Sequence, residues 1–168
     1  LVLDRLWYRY PSLLVDSVID YEPGKRIVAV KNVTVNEEYF QGHFPGTPLM
    51  PGVMMIEALV QVATLLLLNE EDGAGLKAVL RGVNNAKFRR QVLPGDCLTL
   101  DVSLDERSSE LAVTRGVAKV DEQIVAEAEL LIRLKSGAIE IDSTAIVHPG
   151  AVISQGTTIG PYAVIGTG

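Results

Sequence analysis

A long apolar run at residues 49–68 constrains the fold of this chain more than any other feature. The residues that interrupt it are Pro51, Gly52, Glu57, Gln61 and Thr64. A helix beginning at Pro51 would be apolar nearly all round, and such a helix must be covered on every side. A membrane span is not expected, because Glu57 would lie near the centre of the bilayer. We therefore predict a buried helix of about twenty residues, roughly 30 Å long.

Segments in which apolar and polar side chains alternate lie both before and after the predicted helix. Aliphatic and polar side chains alternate at 98–105 and at 126–135, while 26–35, 111–120 and 79–92 are rich in strand-forming residues. This pattern is typical of strands with one face on a core. One long helix with about five antiparallel strands predicts an α+β fold, in which a curved sheet wraps around the helix. Because one small sheet can cover only part of that helix, we expect a second subunit to help.

The overall charge and the cysteine content exclude several classes of protein. A net charge of −6 and a pI near 4.9 argue against a nucleic-acid-binding protein, which normally carries a basic excess. The single cysteine, Cys97, cannot form an internal disulfide, so a reducing compartment is expected. The sequence shows no secretory leader. Together these observations favour a cytoplasmic location.

The composition changes near residue 136. All 15 Lys and Arg lie in residues 1–135, and only Glu140 and Asp142 are charged after that point. Five aliphatic residues in this tail are spaced six apart, namely Ile141, Val147, Ile153, Ile159 and Ile165. A six-residue period is typical of a parallel β-helix, in which three hexads complete a turn. The tail holds about one and a half such turns, too few to be stable alone. We expect it to open a longer domain or to pack on something else.

Residues 42–61 place an imidazole and a carboxyl group within reach of an apolar environment. His43 lies in a stiff turn rich in Gly and Pro, and Glu57 follows within the predicted helix, on one face with Gln61 and Thr64. A carboxyl group in an apolar pocket keeps its proton to higher pH than in water, so it can act as an acid. The alternative is that Glu57 pairs with a core arginine and that His43 only forms a hydrogen bond in a loop.

The start of the predicted helix adds a third group to this pair. Gly52 lies in the first helical turn, where backbone N–H groups have no acceptor within the helix and can bind a developing oxyanion. An acid, a base and an oxyanion site suit the removal of water from a 3-hydroxyacyl thioester. His43 would take the α-proton, and Glu57 would protonate the departing hydroxyl. This chemistry needs no metal or cofactor, and the sequence contains no zinc-binding cluster, P-loop or dinucleotide motif.

The stretch GHFPGTPLMPGVMMIEALVQ at 42–61 resembles the signature of the bacterial 3-hydroxyacyl-[acyl-carrier-protein] dehydratases of type II fatty-acid synthesis. RYPSLLVD, PGKRIVAVKNVTVNE and NAKFRRQVLPGD, at 9–16, 23–37 and 85–96, also match. The resemblance covers residues 1 to about 134 and implies a hot-dog fold. It further implies a homodimer, with dimers often joined as a trimer of dimers. Where the family often reads HRYPFLLVD, this chain has Tyr8 and Ser12.

The resemblance also implies roles for individual residues. His43 matches the catalytic base and Glu57 the catalytic acid, each site taking one residue from each chain of the dimer. Gly52 matches the oxyanion N–H. Glutamate rather than aspartate at position 57 implies the branch that dehydrates without isomerising. The substrate-binding residues expected beside them are Phe44, Val53 and Gln61, with Phe88 also shaping the acyl tunnel.

The tail carries a second resemblance. STAIVHPGAVISQGTTIGPYAVIG at 143–166 resembles the first coils of the acyl-carrier-protein:UDP-N-acetylglucosamine O-acyltransferases, a left-handed β-helix family of lipid A synthesis. This implies a hot-dog dehydratase domain at 1–135 and an incomplete hexapeptide-repeat segment at 136–168. It also implies that the natural protein is a fusion of two enzymes. The catalytic histidine of that family lies well downstream, so His148 is expected to be structural.

The expected partner is the acyl carrier protein, which is strongly acidic. Lys87, Arg89 and Arg90 are candidates for a basic docking patch, with solvated strand residues as the alternative. Two other functions stay open. The first is a hot-dog thioesterase that activates water against the thioester carbonyl. The second is a non-catalytic acyl-binding module.

Overall fold

The computed structural model describes residues 6–68, 76–154 and 157–167. Within these ranges one α-helix, α1, spans Gly52–Leu68, and a short 3-10 helix precedes it at Glu38–Gln41. The strands of the main sheet are β1 (Ser17–Glu22), β2 (Arg26–Asn32), β3 (Leu76–Phe88), β4 (Cys97–Arg107), β5 (Leu111–Val120) and β6 (Gln123–Ser136). Four two-residue strands follow in the tail, namely β7 (Glu140–Ile141), β8 (Ile146–Val147), β9 (Thr158–Ile159) and β10 (Val164–Ile165).

The six long strands form one antiparallel sheet in the order β1-β2-β4-β5-β6-β3. The predicted alternation is confirmed, because Leu98, Leu100 and Val102 are fully buried on the face that packs against α1. Two differences from the sequence prediction stand out. Strand β1 was not predicted, and β3 ends at Phe88 instead of continuing to residue 92. Beyond β3 the chain turns to the start of the helix, where the Met50 N–H donates to the Val92 carbonyl at 2.9 Å.

The helix is 17 residues long, about 26 Å at the usual rise per residue. Every residue from 58 to 68 is buried within the single chain, so this part of the helix does not need the second subunit that we expected to help cover it. The physical reason is a second cover, the N-terminal segment, which brings Leu14 and Val15 into the core. Its Leu14 N–H donates to the side chain of Gln61 on the helix. Among the described residues, no helix is long and apolar enough to cross a membrane.

Strand β3 forms one edge of the sheet and leaves apolar side chains in solvent. The most exposed of its aliphatic and aromatic residues are Val79, Leu80, Val83 and Phe88. Two register shifts interrupt its pairing with β6, between Leu80 and Gly82 and between Asn84 and Lys87. Such irregularities bend a strand and increase its twist, which curves the sheet around the helix.

The tail contains two small parallel sheets. Glu140 pairs with Thr158, and Ile146 pairs with Val164, so partners lie eighteen residues apart in both sheets. This spacing equals three hexads, the length predicted for one turn of a coil. Ile159 is buried, whereas Val152 and Val164, each next to a hexad anchor, are strongly exposed. The pairing agrees with the six-residue repeat, and the left-handed β-helix itself stays a prediction.

Candidate active site

The loop between the 3-10 helix and α1 holds His43 at both its backbone and its ring. The His43 N–H donates to the Tyr39 carbonyl, and the Leu49 N–H donates to the His43 carbonyl, each at 2.9 Å. The ring nitrogen Nδ1 lies 2.7 Å from the Leu49 carbonyl oxygen. A carbonyl oxygen only accepts hydrogen bonds, so Nδ1 carries a proton in this contact. The contact fixes the ring and leaves Nε2 as the nitrogen that is available to a substrate.

His43 lines a cavity of about 510 Å³ together with the first turn of α1. The lining includes Leu49, Gly52, Val53, Phe88 and Arg90. Gly52 begins the helix, so its N–H belongs to the group that lacks acceptors within the helix. A Cβ added at Gly52 would lie 2.8 Å from ring atoms of Phe88. The absence of a side chain at Gly52 thus allows the Phe88 ring to cover the helix start. Val53 and Phe44 are 69% and 51% exposed.

Glu57 lies one turn further along the helix and lines a different cavity, of about 390 Å³. Its Oε1 accepts a hydrogen bond of 3.0 Å from Nε2 of Gln61. Gln61 is completely buried, and its amide also binds the backbone of Ser12 and Leu14. These contacts favour a positioning role for Gln61 over direct contact with substrate. No arginine within the described ranges pairs with Glu57, so the alternative of a core ion pair is not supported there.

The Glu57 cavity contains residues that the sequence did not single out. Its lining includes Tyr8, Glu37, Glu38, Tyr39 and Met54. Glu37 forms an ion pair with the buried Lys31, which neutralises one of the carboxylates beside Glu57. Burial, with the nearby charge of Glu37 as a smaller cause, raises the pKa of the Tyr39 phenol, which therefore stays neutral. Nothing in the spacing of these residues indicated that they would meet, because loop and turn residues bring them together.

His43 and Glu57 do not meet within one chain. They line separate cavities, and in the described part of the chain no hydrogen bond or ion pair joins them. A single chain therefore does not bring these two residues of the predicted site together.

The predicted basic patch is largely paired with carboxylates. Lys87 and Arg89 both approach Glu127, at 3.5 and 2.5 Å, and Arg90 lies 4.0 Å from Asp96. The hydrogen bond from Arg89 is the main cause that holds the pKa of Glu127 below its ordinary value. Arg89 and Arg90 also line the His43 cavity. Two of the three cations therefore lie at that cavity, whereas Lys87 lines a different one.

Candidate metal ligands are sparse. Over residues 6–68, 76–154 and 157–167, no group of three or more His, Cys, Asp and Glu side chains could hold a metal ion. His148 lies in the tail, where its Nδ1 accepts a hydrogen bond of 3.3 Å from the Gly150 N–H.

Comparison with known proteins decides the family. The model of the FabA-like domain matches residues 7–129, which include His43, Gly52 and Glu57. The chain belongs to the FabA-like domain family. Within it, the chain is 47% identical over 133 residues to the 3-hydroxyacyl-[acyl-carrier-protein] dehydratase FabZ of Clostridium tetani, covering 79% of this chain and 94% of that protein. A FabZ of Caldanaerobacter subterraneus is 50% identical over 124 residues, covering 74% and 88%.

Solved structures agree on the fold. The dehydratase heterocomplex ApeI:P from Xenorhabdus doucetiae contains a chain that superposes with a TM-score of 0.63, covering 80% of this chain and 91% of that one. Its sequence is 16% identical, so the similarity concerns the fold. The sheet around one helix is thus a hot-dog domain, and the identity to the FabZ proteins makes the chain a FabZ-type 3-hydroxyacyl-[acyl-carrier-protein] dehydratase.

Proposed function

We propose that the protein converts (3R)-3-hydroxyacyl groups on acyl carrier protein to trans-2-enoyl groups during fatty-acid elongation in the cytoplasm. The observation that carries this reaction is the state of His43. Its Nδ1–H is fixed on the Leu49 carbonyl, and its Nε2 is left as a base beside the first turn of the helix. An imidazole held in one tautomer is suited to general base catalysis.

The reaction balances with the groups at hand. Nε2 of His43 takes the proton from Cα, the Cα–H electron pair forms the double bond, and the Cβ–O bond breaks. Glu57 gives its proton to the departing oxygen, which leaves as water. The N–H of Gly52 stabilises the thioester oxygen as it gains negative charge. Val53 lines the His43 cavity and Phe44 stacks against the His43 ring, both with exposed side chains, which supports a role for them in contacting the acyl chain.

We propose that a second copy of the chain completes each site. Strand β3 ends at Phe88, which lines the His43 cavity, and its apolar edge is open to pairing. Long exposed apolar edges are normally covered in native proteins. A partner strand paired along β3 would cover the edge and bring the partner's residues to the His43 cavity. His43 of one chain and Glu57 of the other would then face one substrate. We propose that three such dimers form a hexamer.

The test uses purified protein and a 3-hydroxyacyl group on acyl carrier protein. We expect an enoyl-carrier product that has lost one water and still holds its thioester. Release of the free carrier thiol without enoyl product would reject the proposal in favour of a thioesterase. Tight binding of the acyl carrier without any turnover would reject it in favour of a non-catalytic acyl-binding module.

The acyl carrier protein would dock on the patch formed by Lys87, Arg89 and Arg90. The combined replacement Arg89→Ala and Arg90→Ala is expected to raise KM for carrier-linked substrate by roughly three- to tenfold, the scale of one or two exposed charge contacts. KM for the same acyl group on pantetheine should not change, because that substrate lacks the acidic carrier. Lys25→Ala, at an exposed lysine in the β1–β2 turn, is the control. An equal rise for both substrates would contradict docking at this patch.

The tail is proposed to begin a left-handed β-helix of the kind found in the acyltransferases of lipid A synthesis. Support comes from the six-residue repeat and from the eighteen-residue spacing of its parallel pairs. The division into a dehydratase domain at 1–135 and a hexapeptide-repeat segment at 136–168 is part of this proposal. The test is the coding sequence after Gly168. Further hexads in the same phase would support a bifunctional protein, and an immediate stop codon would contradict it.

A further inference from the structure

The segment that carries Tyr8 is anchored on both sides against the helix. Before it, Leu6 is buried, and the Arg9 guanidinium donates to the carbonyls of Leu6 and Tyr8, both at 2.8 Å. After it, the Ser12 carbonyl accepts a hydrogen bond of 2.8 Å from the Gln61 amide. Tyr8 itself is half-buried and packs on the edge of the core. Its ring therefore has a defined place relative to α1.

Glu57 has one polar neighbour on the helix and another in the N-terminal segment. Gln61 gives one hydrogen bond, and its orientation is settled because its Oε1 accepts from the Leu14 N–H at 2.9 Å. The second is Tyr8 of the N-terminal segment, whose side chain lines the same cavity as Glu57. A phenol O–H can donate to a carboxyl oxygen. A glutamate side chain has three rotatable bonds, and an anchored amide together with an anchored phenol would restrict them to one direction.

We propose that Tyr8 is a positioning residue that orients the Glu57 carboxyl group for proton delivery to the departing hydroxyl. The inference rests on the proposed dehydration, in which Glu57 is the acid. A group that transfers a proton must lie within hydrogen-bond reach of its target, and a shift of about 1 Å can cost a hundredfold in rate. Tyr8 acts through Glu57 and does not itself touch the reacting atoms.

The surroundings keep Tyr8 in its donor form. Burial is the largest cause that raises the pKa of its phenol, followed by the negative charge of Glu57 and the hydrogen bond to it. The phenol therefore stays protonated at neutral pH and has a proton to donate. Tyr8 also stands at a position where this chain departs from the HRYP pattern that its family often shows.

The test is a double-mutant cycle measured on the full chain. Tyr8→Phe removes one oxygen atom and is expected to lower kcat for carrier-linked substrate by about tenfold, the upper end of the range for one hydrogen bond, with KM within about twofold. In the Glu57→Gln background the same replacement should change the residual kcat by less than about twofold, because the group it orients is gone. Tyr10→Phe, two residues away on an exposed tyrosine, is the matched control.

Either of two kinetic results would overturn the inference. One is an unchanged kcat in Tyr8→Phe, and the other is an equal loss in both backgrounds, which would indicate a structural role independent of Glu57. A second measurement does not depend on activity. The five tyrosine rings are labelled with carbon-13. The Tyr8 resonance is identified as the one that is missing from the Tyr8→His protein. Glu57→Gln should move this resonance, whereas Glu22→Gln should not. A resonance that stays in place would also overturn it.

These outcomes are separable from failure of the proposed function. If wild-type protein forms no enoyl product, the dehydration proposal fails, whereas the resonance measurement still reports whether Tyr8 and Glu57 are in contact. If wild-type protein is active and the effects of Tyr8→Phe and Glu57→Gln on kcat are additive, only the role of Tyr8 is rejected.

Discussion

Replacement of His43 by alanine is expected to lower kcat for dehydration by at least about a hundredfold, the usual scale for a general base. In the proposed mechanism the imidazole takes the α-proton through Nε2, while its Nδ1–H is held on the Leu49 carbonyl at 2.7 Å. Alanine removes the base and leaves the loop closed by its backbone hydrogen bonds, because these come from the main chain of His43. We therefore expect little change in the thermal midpoint.

The assay for this variant follows formation of the enoyl thioester at saturating substrate. His148→Ala is the matched control, since His148 is the other histidine of the chain and lies in the tail. It should keep wild-type kcat. A His43→Ala protein that dehydrates at more than about a tenth of the wild-type rate would contradict the assignment of the base.

Replacement of Glu57 by glutamine is the second large effect, again at least about a hundredfold in kcat. The amide keeps the size of the side chain and can still accept from Gln61, but it has no proton of suitable acidity to give to the departing hydroxyl. Because the substitution removes the acid and leaves the packing, KM should change little. The same assay measures the loss, and circular dichroism checks the fold.

Glu22→Gln is the control for the loss of one carboxylate. Glu22 ends β1, is exposed and pairs with Lys25. This variant should match wild type. Should Glu57→Gln retain most of its activity, another group must protonate the leaving oxygen, and Glu57 would be only one of the polar residues of its cavity.

Much of the main sheet follows directly from the sequence because side-chain alternation reports which face is buried. Leu98, Leu100 and Val102 were placed on one face by their spacing, and all three are fully buried. The sequence did not predict strand β1, because this strand lies at the edge of the sheet and its apolar and polar side chains alternate only weakly. The sequence also did not predict which segment covers the helix, for a different reason. Residues 6–15 have no regular period, yet they pack along α1 through Leu14 and Gln61.

The chemistry that we propose for the site comes from the sequence, whereas the arrangement of its residues does not. His43, Gly52 and Glu57 stand in a short stretch, so their residue types and the start of the helix indicate a base, an oxyanion site and an acid. The sequence could not place Tyr8 in the cavity of Glu57, because the two residues are 49 positions apart and an irregular segment brings Tyr8 there. Nor does proximity in sequence put His43 and Glu57 together, since they line separate cavities of one chain.

The claim that each site needs two copies of the chain is tested most directly by mixing two inactive variants. His43→Ala and Glu57→Gln chains are co-expressed in equal amounts, so that they assemble at random. If each site takes His43 from one chain and Glu57 from another, about a quarter of the sites contain both intact residues, and the mixture should reach about a quarter of wild-type activity. A mixture that stays at the residual rate of its parents would contradict a site shared between chains.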